Sequence, residues 1–572
     1  MKKNLFAALL AVLSFQQYRA QNPLAIPDTL SGTNFNLSIY DTSHVFYPNF
    51  TTQTFGINAG YLGPTLFFNR GDSVEITVNN MLSDTTTIHW HGLHVASYND
   101  GGPHTYILPS SGWNPKFKIR DCASTFWYHP HLHMKTNLHA TKGAAGMIIV
   151  RDSAEAALVL PRKYGTDDFP LVLQSKHFDA AKQIVTETAY DSVMMVNGTI
   201  DPYLQVPAQV VRFRLLNASS ERVYNCGLQG NMVFYQVGSD GGLLAAPVSM
   251  TRLRLAPGER AEILVDFSGL NGQNINLLSF SSEFPNGYYG SANPAAMGNG
   301  TIAGYSANAL NGADFNIMQF QVVASTANPV TTIPVSLVTV TPLSSSSSVQ
   351  SRTLTFEPQN MGPSQMLNGP FEINNATFMM NVINYTIPFG NIETWTLSNQ
   401  TAIAHPFHIH DVQFYILDIN GSAPPANQQG RKDVVLVPAQ QTVTFITQFD
   451  DFCDSVPYMY HCHMLPHEDD GMMGQFIVSC PSVSTGPEQV EADALVIFPN
   501  PATDGHFILQ GEAVGRIERI AVSDISGRIV YASPVQAGNT YELHFGNLPS
   551  GLYTVHMTGP DFIQHRKIQL IR

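Results

Sequence analysis

The chain has 572 residues, a formal net charge of −14 and a hydrophobic fraction of 44%. This length exceeds what one hydrophobic core usually supports, so we expect several domains. The acidic balance, without clusters of Lys and Arg, excludes a nucleic-acid-binding surface, which needs basic side chains to neutralise phosphates.

The N-terminus has the pattern of a secretory signal peptide, which we place at residues 1–21. Two lysines precede an apolar run from Leu5 to Phe15, and a polar stretch follows up to Ala20. The apolar run is too short to cross a bilayer, and we predict no transmembrane segment. We therefore expect the protein to be exported.

The body of the chain consists of short β-branched and aromatic runs, such as SVEITVNN and QTVTFITQF, separated by Gly, Pro, Asn and Asp. Such runs predict an all-β fold of β-sandwiches. Breaks in the pattern predict three sandwich domains at 22–158, 159–325 and 353–482, with a Ser-rich linker at 326–352. A second polar linker at 483–493 precedes a small fourth sandwich at 494–572.

Four histidine pairs lie in the first and third predicted domains. They are His89 with His91, His129 with His131, His408 with His410, and His461 with His463. Residues two apart in a strand point to the same face, so each pair presents two imidazoles on one side. One such pair is common, but four pairs can bind three metal ions. We interpret the nearby histidines as supporting or surface residues: His94, His104, His133 and His139.

The last cluster predicts a second kind of metal site. Cys462 points away from its two flanking histidines and would join His405 and His467, with Met472 as a weak axial ligand. Soft thiolate and thioether ligands select copper, and this combination is that of a blue-copper site. Zinc also binds histidine and cysteine, but a zinc site has no use for eight further histidines. Met473 is a less favoured axial ligand, because neighbouring strand positions face opposite ways.

A group of copper ions held by these clusters could reduce dioxygen to water, a reaction that consumes protons, and two carboxylates are candidates for delivering them. Glu468 directly follows His467, and Asp100 lies nine residues beyond His91. Alternatively, Asp100 only forms a turn before Gly101, and Glu468 only supports a ligand through a hydrogen bond. The residues alone do not separate these alternatives.

Four cysteines remain besides Cys462, and disulfides persist in an exported protein. Cys453 and Cys480 are a possible pair. The sequence does not fix the connectivity, and buried free thiols are the alternative for these two residues as for Cys122 and Cys226.

In these motifs the chain resembles the multicopper oxidases, in the three-domain branch with laccases, bilirubin oxidases and bacterial cuprous oxidases. The resemblance covers about residues 30–480 and includes IHWHGL, TFWYHPHLH, HPFHIH and HCHMLPHEDDGMM. It implies cupredoxin-like Greek-key domains that hold four copper ions, one of type 1, one of type 2 and two of type 3. We also expect a monomer.

The resemblance implies a role for each ligand position. The type 1 copper would take His405, Cys462, His467 and Met472. The type 2 copper would take His89 and His408, one type 3 copper His91, His129 and His463, and the other His131, His410 and His461. Asp100 and Glu468 match the acidic residues that deliver protons in the family.

The last segment resembles the C-terminal sorting domain of the type IX secretion system. FPNPATDGHFIL, VSDISGRIVY and LPSGLYTVHM carry this likeness. It implies the secretion machinery as a partner, with export through the periplasm to the surface or exterior of a Gram-negative cell. The alternative is an ordinary adhesive module.

For function, we expect a laccase-like enzyme that couples the oxidation of phenolic or other small aromatic donors to the reduction of dioxygen. The first alternative is a cuprous or other metal-ion oxidase of copper tolerance. It is weakened because Met361, Met366, Met379 and Met380 are scattered and form no dense run. A copper-free envelope scaffold is an alternative of another class, although this chain keeps all twelve ligand positions. A copper nitrite reductase is disfavoured, because its site does not require eight histidines around three metal ions.

Overall fold

A computed structural model describes residues 21–186, 190–297, 300–480, 495–525, 527–535, 540–559 and 562–571. Residues 1–20 of the predicted signal peptide and the predicted linker at 483–493 lie outside these ranges. The chain divides into two compact units, Met1–Pro481 and Ser482–Arg572. Within the described ranges, none of the helices is long and apolar enough to span a membrane.

The first β-sandwich has two sheets around a shared apolar core. The strand β1 (Asn22–Pro23) precedes it in the chain. Its own elements are β2 (Thr29–Ser31), β3 (Asn34–Tyr47), β4 (Phe50–Ile57), β5 (Thr65–Asn69), β6 (Ser73–Asn80), β7 (His89–His91), α1 (Ser97–Asp100), β8 (Ser111–Trp113), β9 (Lys116–Lys118), β10 (Ser124–His129), α2 (Thr136–Thr141), β11 (Gly146–Arg151) and α3 (Ser153–Ala156). One sheet has the strand order β2-β5-β11-β10-β7, and the other has β4-β3-β6-β8 with β9 also on β6. Alternate residues of β6, Val74, Ile76 and Val78, are buried between the sheets.

The second β-sandwich contains the strands that follow. They are β12 (Asp168–Phe178), β13 (Ile184–Val185), β14 (Val193–Val196), β15 (Thr199–Ile200), β16 (Pro202–Pro207), β17 (Val210–Asn217), β18 (Tyr224–Leu228), β19 (Phe234–Ser239), β20 (Gly242–Met250), β21 (Leu253–Leu255), β22 (Arg260–Asp266), β23 (Asn274–Phe280) and β24 (Asp314–Val323). One sheet has the order β1-β16-β24-β23-β18-β21, and the other has β15-β14-β12-β17-β22-β19-β20 with β13 on β12. The first strand of the chain therefore pairs into the second sandwich.

The segment after β24 is irregular but packs against the second sandwich. Leu337 is buried with Val210 and Leu264, and its backbone N–H donates to the carbonyl of Ala245 at 2.9 Å. Apolar side chains among the polar residues of the predicted linker thus hold part of it in place. The next strand begins at Gln350, shortly before the predicted end of that linker.

The third β-sandwich again has two sheets. Its elements are β25 (Gln350–Pro358), α4 (Gln365–Asn368), β26 (Phe371–Ile373), β27 (Tyr385–Pro388), β28 (Ile392–Asn399), β29 (His405–Ile409), β30 (Phe414–Ile419), β31 (Val434–Val437), β32 (Thr442–Gln448), β33 (Tyr458–Cys462), α5 (Leu465–Asp469) and β34 (Met473–Ser479). The sheet orders are β26-β25-β28-β32-β30 and β27-β34-β33-β29-β31. Cys453 and Cys480 form a disulfide, as the sequence allowed, whereas Cys122, Cys226 and Cys462 are free.

The C-terminal unit is a separate small β-sandwich. Its strands are β35 (Val496–Phe498), β36 (His506–Gln510), β37 (Arg519–Ser523), β38 (Ile529–Pro534), β39 (Thr540–His544), β40 (Gly551–Gly559) and β41 (Phe562–Leu570). The sheets have the orders β35-β36-β39 and β38-β37-β40-β41, and Phe507, Leu543 and Val555 lie in the core between them. The predicted all-β architecture of three sandwiches followed by a smaller fourth is confirmed. Single turns of 3-10 helix occur at Gln229–Asn231, Ser281–Glu283, Tyr305–Ala307, Ser345–Ser347, Ala426–Gln428 and Glu512–Arg516.

Candidate metal centre

Eight imidazoles from the first and third sandwiches meet in one buried cluster. In β10 and β7, His129 lies opposite His89, and in β29 and β33, His408 lies opposite His461. His91 lies in β7, two residues from His89, and shares its face. His131, His410 and His463 lie just beyond the ends of their strands, and their rings still contact the same cluster. All eight side chains belong to residues that are at most 1% exposed: His89, His91, His129, His131, His408, His410, His461 and His463.

The imidazoles form groups whose size suits single metal ions. Within each group, one ring nitrogen from every member lies within 4.8 Å of the others. The groups are His91 with His129 and His463, His131 with His410 and His461, and His89 with His408 and His410. The first two are the trios expected for the type 3 coppers, and the third contains the pair expected for type 2. Each trio combines histidines from both sandwiches, so the cluster requires the two domains together.

Hydrogen bonds on the outer side of the rings determine which nitrogen faces the interior. Nδ1 of His408 lies 2.8 Å from the backbone oxygen of Asp433, and Nδ1 of His461 lies 3.0 Å from that of Cys462. A neutral imidazole that donates from Nδ1 leaves a lone pair on Nε2. This orientation is the one that outer hydrogen bonds give to metal-binding histidines.

Both predicted carboxylates contact the cluster. The carboxylate of Glu468 lies 3.0 Å from Nδ1 of His131 and 3.1 Å from Nδ1 of His461. The carboxylate of Asp100 lies 2.7 Å from Nδ1 of His410. The two acids are 1% and 2% exposed, so each is held against imidazoles and away from bulk water.

Cys462 lies on the opposite side of β33 from the histidine cluster. Its Sγ is 3.5 Å from Nδ1 of His405 and 3.7 Å from Nδ1 of His467. Met472 is fully buried in the same apolar core as Cys462, and its carbonyl accepts a hydrogen bond from the Cys462 N–H at 3.0 Å. Met473 belongs to a different apolar cluster, so it is Met472 that shares the surroundings of the thiol.

Known proteins share these features. Multicopper oxidase family models match residues 40–155 and 342–482, and a model for a secretion system C-terminal sorting domain matches residues 496–570. The multicopper oxidase mco of Staphylococcus haemolyticus is 30% identical over 456 residues, which cover 78% of this chain and 88% of that protein. The chain belongs to the multicopper oxidase family. It is therefore a copper-dependent oxidoreductase with cupredoxin-like domains, and its C-terminal match indicates a secreted, cell-surface protein.

Two further relatives widen the range of known roles. The structure of the laccase-like multicopper oxidase CueO of Ochrobactrum sp. has been solved, and its sequence is 33% identical to this chain. The two structures superimpose with a TM-score of 0.69 over 80% of this chain and 100% of CueO. The cell division protein FtsP of Xenorhabdus nematophila is 31% identical over 486 residues, which cover 83% of this oxidase and 96% of FtsP.

Several histidines of this oxidase have a buried, neutral ring nitrogen that is free to bind a copper ion. Nε2 of His89, His408 and His461 is buried and has no hydrogen-bond partner anywhere in the described ranges. Such an orphaned nitrogen is costly in a protein interior unless a metal ion binds its lone pair. Burial, followed by repulsion from neighbouring imidazoles, lowers the pKa of His408 and His410 well below the usual value. The rings are thus held in the neutral form that binds metal.

One acidic residue at the cluster was missed by the sequence analysis. Asp433, just before β31, has its Oδ1 3.1 Å from Nε2 of His91, and its carboxylate accepts hydrogen bonds from Arg260 at 2.6 and 2.5 Å. Arg260 comes from β22 of the second sandwich, which contributes no histidine to the cluster. The available signal was an Asp directly before the apolar run VVLV, an unusual place for a charge.

The thiol site has one edge open to solvent. His405 and Cys462 are 0% and 1% exposed, whereas the His467 side chain is 11% exposed. Burial lowers the pKa of His467 to about 3 and raises the pKa of the Cys462 thiol well above its usual range. A buried thiol of this kind becomes a thiolate when a metal ion replaces its proton. His467 is therefore the residue of this group that lies nearest to solvent.

The four histidines interpreted as supporting or surface residues have other partners. Their contacts are Asp121 for His94, Gln475 for His104, Phe378 for His133 and Thr86 for His139. Phe378 packs against Met459, which belongs to the strand β33 that carries His461 and Cys462. His133 therefore lies beside the centre and belongs to neither histidine trio.

Proposed function

We propose that this oxidase is laccase-like and takes electrons one at a time from phenolic or other small aromatic donors. Four electrons would reduce one dioxygen to two waters. The observation that carries the proposal is the group of eight buried imidazoles, joined through β33 to a buried cysteine with two further imidazoles. This pairing suits an enzyme that collects electrons at one place and uses them at another.

In this proposal the centre holds four copper ions, and each predicted ligand keeps its role. The type 1 ligands are His405, Cys462, His467 and Met472, and the type 2 ligands are His89 and His408. The type 3 ligands are His91, His129 and His463 for one ion and His131, His410 and His461 for the other. When bound, copper at such centres supplies one-electron redox chemistry. The groups within 4.8 Å support this division of the histidines.

The chain provides a short covalent connection between the two places. Cys462 is bonded through the backbone to His461 on one side and His463 on the other. Its sulfur lies toward the site with the exposed edge, while both neighbouring rings lie in the buried cluster. No side chain has to move to connect them.

Glu468 and Asp100 have the positions that proton delivery requires. Glu468 lies at hydrogen-bond distance from two cluster histidines, and Asp100 at hydrogen-bond distance from His410. Each carboxylate could accept a proton from outside, pass it to the cluster and then accept the next one. The same contacts orient the rings, so the two roles are compatible.

The nature of the donor is supported by one relative and contested by one observation. CueO of Ochrobactrum sp. has oxidase activity towards lignin model compounds, which favours phenolic donors. In this chain, Met361 and Met379 are 83% and 57% exposed and lie in the same stretch of sequence as Phe371, whose ring lies 4.7 Å from both His405 and His467. Thioether sulfur binds Cu(I), so this region favours a metal-ion oxidase as the second candidate.

One comparison of substrates separates these candidates. Copper-loaded protein is assayed with a phenol, Cu(I), Mn(II) and bilirubin under the same conditions, with dioxygen consumption as the common readout. The proposal expects the highest kcat/KM for the phenol and a blue thiolate absorption band. A higher kcat/KM for Cu(I) identifies a cuprous oxidase. Protein that binds no copper and shows no band is a scaffold, a role that the relationship to the cell division protein FtsP makes worth testing.

We also propose the route by which the oxidase leaves the cell. The match of residues 496–570 to a secretion sorting domain supports type IX secretion across the envelope of a Gram-negative bacterium. A signal peptide within residues 1–21 would provide the first step, into the periplasm. We propose that the exported protein acts as a monomer, because both sandwiches that build the cluster belong to one chain.

A further inference from the structure

The C-terminal unit has metal-binding side chains that the strand pairing brings together. β36 and β39 are antiparallel, His506 lies directly opposite His544, and Glu542 precedes His544 by two positions. Residues two apart share a sheet face, and opposite residues on paired strands are neighbours on it. Phe507 and Leu543, at the alternate positions, are fully buried. His506, Glu542 and His544 therefore share the outer face of this sheet.

The three side chains converge at the distances of a metal site. The imidazole rings of His506 and His544 stack with their centroids 4.4 Å apart and their planes at 2°. Oε2 of Glu542 lies 3.6 Å from Nε2 of His506 and 3.4 Å from Nε2 of His544. One carboxylate oxygen thus lies near one nitrogen from each ring. Because parallel stacked rings direct their nitrogen lone pairs side by side, the 66% exposed His544 side chain has to turn for both rings to bind one ion.

Two properties of this group favour a ligand over a simple surface ion pair. Nε2 of His506 is shielded from solvent and makes no hydrogen bond in the part of the unit that is described. Glu542 and His544 are 60% and 66% exposed at their side chains, and charge pairs so exposed contribute little to stability. The contacts among these three side chains therefore contribute little to the stability of the unit unless they bind an ion.

We propose that His506, Glu542 and His544 bind one divalent transition-metal ion of the class of Zn²⁺, Ni²⁺ or Cu²⁺. Two imidazoles and one carboxylate are a ligand set that zinc uses, with water at the remaining position. Among these ions, the usual order of affinities favours Cu²⁺. The site lies in the sorting unit and uses none of the ligands of the oxidase centre, so it is independent of the proposed function.

A bound ion would join β36 to β39 within the smaller sheet of the unit. Strand β36 is the central strand of this three-stranded sheet, and β39 is one of its edges. Binding to the folded unit alone stabilises it by mass action. The sorting unit would then be more stable in the presence of the metal ion than in its absence.

A second histidine pair in the same unit provides a matched control. His556 and His565 lie opposite each other on β40 and β41, with their Nδ1 atoms 2.9 Å apart. Nε2 of His556 is engaged by Ser523 Oγ at 2.7 Å. Since both nitrogens of His556 are engaged and no carboxylate forms an ion pair with either histidine among the described residues, we expect this pair to contribute no metal site.

The test is calorimetric titration with Zn²⁺ of full-length, tag-free, copper-loaded oxidase that has first been dialysed against a weak chelator, so that Cu²⁺ from the loading does not occupy the exposed site. We expect one additional Zn²⁺ per chain. His544→Ala and Glu542→Gln should each weaken binding roughly tenfold or more, because one of three ligands is lost, while His565→Ala should bind as the wild type does. Both weakened variants change exposed side chains, and an unchanged circular dichroism spectrum and blue absorption verify their fold.

Three results would overturn the proposal. The first is the absence of Zn²⁺ binding by the copper-loaded wild type, and the second is wild-type affinity in both His544→Ala and Glu542→Gln. The third is loss of binding in His565→Ala with wild-type affinity in His544→Ala, which places the ion at the other pair. Each result leaves the blue absorption and the oxidase activity as they were, so failure here is distinguishable from failure of the proposed function.

Discussion

Cys462 is the residue on which the proposed type 1 copper site depends. Its thiol is buried between two imidazoles, where burial raises its pKa, so only a bound metal ion makes the thiolate favourable. Cys462→Ser keeps the size but replaces a soft ligand by a hard one. We expect the variant to lose the blue absorption band and its oxidase activity, as measured by absorption spectroscopy, copper analysis and dioxygen uptake.

The matched control for this variant is Cys226→Ser. Cys226 is equally buried and free but lies in the core of the second sandwich, away from every ligand. It should keep the band, with at most a loss of stability from the buried hydroxyl. A blue band in Cys462→Ser would mean that the thiol is not a copper ligand.

At Glu468, a single substitution can remove the negative charge of the side chain while its shape is kept. Glu468→Gln keeps the shape of the side chain but removes the carboxylate that lies 3.0 and 3.1 Å from His131 and His461. We expect dioxygen reduction to slow roughly 10-fold to 100-fold, as for other losses of groups that support metal ligands, while the blue band persists. Stopped-flow reoxidation of the reduced enzyme measures this step directly.

The neighbouring Asp470 provides the control for Glu468. It is exposed at the end of the same helical turn, so Asp470→Asn changes the charge nearby without a cluster contact. Equal reoxidation rates in Glu468→Gln and the wild type would remove the proposed proton-transfer role. If reoxidation slows equally in Asp470→Asn, the effect of Glu468→Gln is a general consequence of removing a nearby negative charge.

At the scale of elements, β22 brings the second sandwich to a centre whose ligands all come from the other two. Arg260 at its start forms two hydrogen bonds with Asp433, which contacts His91. Arg260→Lys keeps the charge but cannot reproduce this planar two-point contact. We expect weaker copper retention during dialysis against a chelator, measured by copper analysis. We also expect an altered type 2 signal in electron paramagnetic resonance and an altered type 3 absorption band in the near ultraviolet.

A second buried arginine shows whether this effect is specific. Arg212 of β17 is as buried as Arg260, but its carboxylate partners are Glu155 and Glu262, which contact no cluster histidine. Arg212→Lys should lower stability and leave the copper spectra unchanged. If both variants lose copper equally, Arg260 acts only through the stability of its domain.

The histidine pairs and Cys462 were predictable because a strand has a fixed two-residue period. Their spacing along the chain already states which side chains share a face. The contact of Arg260 with Asp433 was not predictable, since it joins residues 173 positions apart, and the unusual position of Asp433 before VVLV does not reveal its partner. Likewise, His506 and His544 become neighbours only through the register of two strands, which their separate sequences do not reveal.

At the scale of the whole molecule, the strand texture was sufficient to predict the number of sandwiches, because alternating apolar residues report which face is buried. It was not sufficient to predict against which sandwich the first strand and the Ser-rich segment pack. The strand at Asn22–Pro23 pairs with Pro202–Tyr203 of the second sandwich, and Leu337 of the Ser-rich segment is buried there. Such choices depend on long-range packing, which short sequence windows do not contain.

The division into two compact units predicts that catalysis and export can be separated by truncation. Removing residues 483–572 leaves the three sandwiches, every proposed copper ligand and the Cys453–Cys480 disulfide in place. We expect this truncated chain to be an active oxidase that stays in the periplasm, measured by activity and immunoblotting of cell fractions and medium. Full-length Cys462→Ser is the reverse control, inactive but exported. Truncated protein at the cell surface or in the medium at full-length levels would show that the C-terminal unit does not direct secretion.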